Sequence, residues 1–341
     1  MLRYVAMRLL WMIPMLLFIS ALIFAIIQLP PGDYLTTQVF ELEQQGQAGA
    51  QAKAQFLRKE YNLDRPLHEQ YLIWLGLMEG SRGYSGLLQG DWGQSFEFQK
   101  PVADIVAHAI GPTIAINALA VLVIYFVAVP LGVLAAVRKN SVIDGTISTL
   151  IYVAMAIPGF LLALLLLYYA NRVFGLGIGG LMDPQYENAP WSWEKLGSIV
   201  SHMIIPVLVI AAGAAAAMTR RMRANLLDEL EKPYVAAARA RGLSETKVIW
   251  KYPVRMAFSP FIADIGDLLP GLVSGSVIVS VVLSLPAVGP ILVRALQSQD
   301  VYLASFIMLF VAILTVIGML ISDLLLAWLD PRIRLGQGAR R

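Results

Sequence analysis

Four polar side chains stand inside or at the edges of long apolar runs: Asn117, Asp264, Asp267 and Asp323. Carboxylates at membrane depth could relay a proton or hold a cation, and a facing pair could act as acid and base. An aspartate at the bilayer centre costs about 2.5–3.5 kcal/mol on insertion scales, and less near a helix end. Asp264 and Asp267 open one apolar run and Asp323 nearly closes another, with Arg255 and Arg332 close in sequence. Helix-end and interface pairing is therefore preferred to ion relay, and Asn117 is read as interhelical glue. Other chemistry is scarce. The chain has no cysteine, which excludes disulfides, thiolate catalysis and cysteine-ligated metals. His68, His108 and His202 are far apart and lack metal-ligand spacing. No Gly-Lys dipeptide occurs, so there is no G-x-x-x-x-G-K phosphate loop and no expectation of ATP hydrolysis.

These residues must be positioned by elements that cross a membrane. Fifty-eight per cent of the chain is apolar and 14% charged, against about half and a quarter in a soluble domain. The apolar residues fall in blocks at 9–29, 110–137, 145–171, 203–219, 261–285 and 304–328. Crossing the hydrocarbon takes roughly 20 mainly apolar residues. The expected fold is all-α and polytopic, with six transmembrane helices. The organisation expected is an N-terminal transmembrane helix at 1–30, an extracytoplasmic loop region at 31–108, a core of five further helices at 109–329 and a tail at 330–341. The first block follows Arg3 and Arg8 and exceeds the ~7–15 residues of a signal-peptide core, so it is read as a retained helix. Pro130, Pro158, Pro206 and Pro270 can kink or end spans.

Lys and Arg are dense in the loops that lie inside if the N-terminus is cytoplasmic: Arg138-Lys139, Arg220-Arg221, Arg223 and the run from Lys232 to Arg255. The positive-inside rule then places both termini in the cytoplasm. Trp92, Tyr186, Trp191 and Trp193 fall in outer segments and suit the headgroup level.

The informative stretch is the inner loop between the fourth and fifth blocks, about 224–258. Helix connections usually take about 2–8 residues. Asp228, Glu229 and Glu231 precede Pro233, which suits a first helical turn. An Ala-rich helix former follows. Gly242 fits the left-handed position that ends a helix, and Ser244 is a plausible N-cap for a second helix running to about Arg255. Small side chains let another surface come close, so a docking element is preferred to a merely basic loop.

Tyr234-Val235-Ala236-Ala237-Ala238-Arg239-Ala240-Arg241-Gly242-Leu243-Ser244 resembles the coupling ("EAA") loop of ABC-importer permeases, with Ala236 where that family usually has Glu. Further motifs match in order: Pro31-Gly32-Asp33, Leu63-Asp64-Arg65-Pro66-Leu67, Gly90-Asp91-Trp92-Gly93-Gln94-Ser95-Phe96, Pro130-Leu131-Gly132, Ile157-Pro158, and Leu329-Asp330-Pro331-Arg332. Together they resemble the B-type permease of the oligopeptide/dipeptide/nickel group, which includes oligosaccharide importers. Ser280 and Leu285-Pro286-Ala287-Val288-Gly289 depart from the group's usual residues. The resemblance implies a bacterial inner-membrane subunit that forms half of a translocation pathway. Its implied partners are a second permease, two ATP-binding subunits that carry ATP and Mg, an extracytoplasmic solute-binding protein and the lipid bilayer, with no nucleic acid and no cofactor in this chain. It implies ATPase coupling through Tyr234, Ala237, Ala238, Arg239, Ala240, Arg241, Gly242, Leu243 and Ser244. Gly271 and Gly275, extended by Ser276, have G-x-x-x-G spacing and are expected where two permeases meet. Peptide is the default cargo and oligosaccharide the alternative.

Two other classes compete. A stand-alone ion-coupled carrier or channel would use Asp264, Asp267 or Asp323 as an ion site, and leaves the 233–255 loop unexplained. A membrane-embedded enzyme would want paired catalytic groups, and the surrounding motifs do not supply them.

Overall fold

The computed structural model describes residues 2–30, 34–36, 39, 50–174, 177 and 179–329. Pro31-Gly32-Asp33, Asp330-Pro331-Arg332 and the side chain of Asp267 lie outside the described residues. Helices dominate. Strands, among the described residues, are a short antiparallel ribbon of Gln94–Ser95 against Lys100–Pro101.

Among the described residues, four helices are long and apolar enough to cross a membrane: Val5–Ile27, Val102–Val137, Trp193–Leu230 and Val301–Ala327. The block expected at 145–171 is two helices, Val142–Ala156 and Gly159–Phe174, bent by 97°. Pro158 explains the bend. A proline pushes the residue before it out of the helical region, and Ile157 is extended at φ −85°, ψ 119°. Counted as one crossing, the pair makes a fifth. Pro130, Pro206 and Pro270, by contrast, sit inside continuous helices.

The block expected at 261–285 is a succession of short helices, Ser259–Ala263, Ile265–Gly275 and Val277–Val282. The residues between them, Asp264 and Ser276, stay right-handed. Helical hydrogen bonds run through both breaks: Asp264 N–H to Pro260 O (3.1 Å), Leu268 N–H to Asp264 O (2.9 Å), Ser276 N–H to Leu272 O and Ser280 N–H to Ser276 O (both 2.8 Å). None of the pieces reaches spanning length alone.

The chain divides into two compact units. One comprises Met1–Gly111 and Ala287–Leu314. Its core joins Phe24 to Trp74, Leu75 and Val301, and Val102 and Val106 to Val288, Leu303 and Ile307. Trp92 stacks on Phe306, with ring centroids 4.3 Å apart. Gly93, at φ +86°, leaves room for the Tyr302 ring, 3.0 Å from where a Cβ would stand.

The other unit comprises Pro112–Pro286 and Thr315–Arg341. Its axis is Trp193–Leu230, 38 residues long, about 57 Å at 1.5 Å per residue. That exceeds the ~30 Å hydrocarbon core, so the Arg-rich end projects beyond it. Val142–Ala156 and Gly159–Phe174 pack along this helix. Two close approaches fix the packing. A Cβ on Gly132 would lie 2.5 Å from Met222 Cβ, and one on Gly266 would lie 2.9 Å from Met319 Cα. A Cβ on Gly271 or Gly275 would meet nothing within 4 Å.

Candidate functional site

The Arg-rich end of the second unit carries a compact helical hairpin. Lys232 is extended (φ −72°, ψ 145°), and Pro233 then opens the helix Pro233–Ala240, where its missing N–H is no loss. Gly242 turns the chain at φ +74°. Ser244 occupies the N-cap position of Glu245–Lys251, but its side chain makes no capping hydrogen bond. The second helix is shorter than expected. Tyr252 (φ −115°, ψ −77°) interrupts it before Pro253–Ala257.

Val235, Ala238 and Val248 are fully buried together, with Leu243 and Tyr252 packed on them. Ala238, expected among the docking residues, therefore faces inward, and its small side chain sets how closely the two helices approach. Across the turn, Arg239 Nη2 donates to Glu245 Oε1 at 2.6 Å. That guanidinium holds the Glu245 carboxyl below the usual carboxylate range. Both side chains are about half exposed, so the pair stabilises the hairpin by no more than about 1 kcal/mol. The Tyr234 hydroxyl donates to Glu229 on the long helix. Burial, and then that bond, push the phenol pKa up.

Ala236, Ala237, Ala240, Arg241 and Gly242 remain exposed, with Tyr234 at their edge. The outcome is a flat surface of small side chains beside a guanidinium. Such a surface allows a partner's backbone to come close, and it offers neither a nucleophile nor an acid–base pair. Trp250, 52% exposed on the second helix, was not legible as part of this element. Only the burial of its neighbours Val248 and Ile249 shows which way it faces.

Two ion pairs tie the Arg-rich half of Trp193–Leu230 to neighbouring helices. Arg223 donates from Nε to Asp144 Oδ1 and from Nη2 to Asp144 Oδ2, both at 2.7 Å. The Asn140 N–H adds a bond to Asp144 Oδ2 at 2.9 Å. Arg221 pairs with Asp264, so the expected neighbour Arg255 is not the partner of Asp264 in this pair. An arginine-paired carboxylate at a helix junction is a structural tie, not an open cation site. Asn117 also departs from expectation. Its Nδ2 donates to Thr113 O of its own helix at 2.8 Å, and among the described residues its buried Oδ1 has no partner, so no bond from it to another described helix is seen. Asp323 is half-buried, beside Ser322, whose hydroxyl donates to Ile262 O at 2.7 Å. His202 is a core histidine, its Nδ1 lying 2.8 Å from Ser198 O.

Asp300 in the first unit was missed. It is fully buried and accepts from the Ser95 hydroxyl (2.6 Å) and from the N–H groups of Glu97 and Leu303 (both 3.2 Å). Burial raises its pKa, against those hydrogen bonds. No local pattern links residues 205 positions apart.

Residues 128–335 match the family described as binding-protein-dependent transport system inner membrane component, and residues 1–117 match its N-terminal membrane-component family. The chain belongs to this family, and is a multi-pass inner-membrane permease subunit of an ABC importer. It is 32% identical over 331 residues to the oligopeptide transport system permease protein AppB of Bacillus subtilis, covering 97% of this chain and 98% of that one. It is 31% identical over 337 residues to the glutathione transport system permease protein GsiC of Escherichia coli K12, covering 98% and 99%. Its fold is similar to that of the inward-facing MetNI methionine ABC transporter, at a TM-score of 0.51 and 16% identity over 66% of this chain and 96% of that one.

Proposed function

We propose that this permease imports oligopeptides or dipeptides. End-to-end similarity to peptide and glutathione permeases supports that substrate class. In this reading a second permease completes the pathway, two ATP-binding subunits hold ATP and Mg below the membrane, and an external binding protein delivers substrate. The single observation that carries the coupling role is the hairpin at 233–251, with its exposed small-residue face and buried core. ATPase closure pushes on that face. The hairpin passes the displacement to the Trp193–Leu230 helix through Tyr234 and Glu229, and from there to the bent pair through Arg223 and Asp144. Substrate moves only because it binds the inward-open and outward-open states differently.

The interrupted run 259–282 is the sixth crossing, which puts both termini in the cytoplasm with the hairpin. Its helical hydrogen bonds through Asp264 and Ser276 support this. Gly271 and Gly275, open in the isolated chain, are where the second permease packs.

The experiment is a detergent pull-down of the chain, wild type and Gly242→Pro, from its native membrane. Proline fixes φ near −65°, whereas Gly242 sits at +74°, so the variant breaks the hairpin. An ATPase subunit captured by wild type and lost in the variant supports the coupling reading. Failure of wild type to capture one, even after crosslinking, overturns it.

A further inference from the structure

The hairpin has two solvent faces of different composition. On the first helix and its C-cap the exposed residues are Pro233 and Tyr234 at one end, then Ala236, Ala237 and Ala240 with Arg239 and Arg241. On the second, Val248 and Ile249 turn inward, which leaves Thr246, Lys247, Trp250 and Lys251 together on the opposite face at 100° per residue. A large exposed indole flanked by two lysines is a poor surface for close backbone approach. It is the composition that lies at a membrane–water boundary, where an amphipathic ring sits among headgroups and ammonium groups meet anionic phosphates. Its position agrees. Trp250 is separated by only Lys251 and Tyr252 from Pro253–Ala257, which leads into the apolar run. Met256 on that next turn is also 52% exposed.

We propose that the Lys247–Trp250–Lys251 face docks on the anionic headgroup layer of the membrane. The second helix then acts as a surface float that holds the hairpin at a fixed depth and leaves the alanine face free for the ATPase. This goes beyond the coupling reading, though it shares the hairpin with it.

The chain has no cysteine, so single cysteines can carry a bimane label. Thr246→Cys reports the proposed lipid face, and Ala237→Cys the alanine face. The complete importer, with and without its ATPase subunits, is placed in nanodiscs of phosphatidylcholine alone or mixed equally with phosphatidylglycerol. Each membrane carries a lipid spin-labelled near the headgroup. The label at 246 should be quenched by that lipid whether or not the ATPase is bound, and more strongly with phosphatidylglycerol. Lys247→Gln and Lys251→Gln should each lower the docked-to-free ratio by about fivefold, and Trp250→Ala should lower it further. A label at 246 that lipid does not quench, or that only ATPase binding shields, overturns the proposal. Shielding of the label at 237 tests ATPase docking separately, so the failure of one reading leaves the other intact.

Discussion

Arg223 holds Asp144 in a fork, Nε on one carboxylate oxygen and Nη2 on the other, both at 2.7 Å. The two residues are 79 positions apart. Their bond fastens the first turn of Val142–Ala156 to the Arg-rich end of Trp193–Leu230. Removing one partner leaves the other poorly solvated, since the Asp144 side chain is only 6% exposed. Arg223→Ala should therefore cost about 1–3 kcal/mol, below a fully buried pair because Arg223 is 27% exposed. Thermal unfolding of the purified chain in detergent measures it. Asp144→Leu with Arg223→Met should recover most of the loss, because no charge is then buried alone. A double variant no better than the single would refute this account.

Glycine contacts separate folding from assembly. A side chain at Gly132 must displace Met222, and one at Gly266 must displace Met319, so Gly132→Val or Gly266→Val should destabilise the chain itself by about 1–3 kcal/mol. An added Cβ at Gly271 or Gly275 meets no atom of this chain within 4 Å. Gly271→Ala and Gly275→Ala should therefore leave its melting temperature unchanged and reduce co-purification of a second permease. Equal destabilisation at all four positions would remove the proposed interface.

Asp300 makes the first unit sensitive to pH. Burial raises its pKa above the ordinary carboxylate value, so the folded state binds the proton more tightly than the unfolded state. The stabilisation is complete below the unfolded pKa and is lost as pH rises through the folded one. Asp300→Asn should flatten the stability profile over that window. It should also weaken the fold at every pH, because its amide N–H₂ would face the donors that now point at the carboxylate. An unchanged slope would locate the titration elsewhere.

Arg239 distinguishes packing from docking. Its pair with Glu245 is exposed on both sides, so Arg239→Ala should change stability by less than about 1 kcal/mol. Loss of ATP-driven uptake in proteoliposomes with that stability retained would assign the guanidinium to the ATPase contact. Retained uptake would confine it to the hairpin.

The sequence alone placed the hairpin because its boundaries are local. Pro233 suits a first helical turn, Gly242 takes a φ that other residues resist, and the energies involved act between near neighbours. Apolar blocks of bilayer length likewise announced the membrane before any packing was known. Only the tertiary structure decided the rest. Asp264 chose Arg221 over the nearer Arg255, and Asp300 found Ser95 across 205 residues. Within the chain, the close glycine approaches fell at Gly132 and Gly266, which no sequence spacing marked. The block at 145–171 folded as two helices about Pro158, although Pro130 and Pro206 sit inside unbroken ones. Charge pairing and close packing depend on which faces meet in space. A one-dimensional pattern fixes which residues can pair or bend, but not which ones the packed helices bring together.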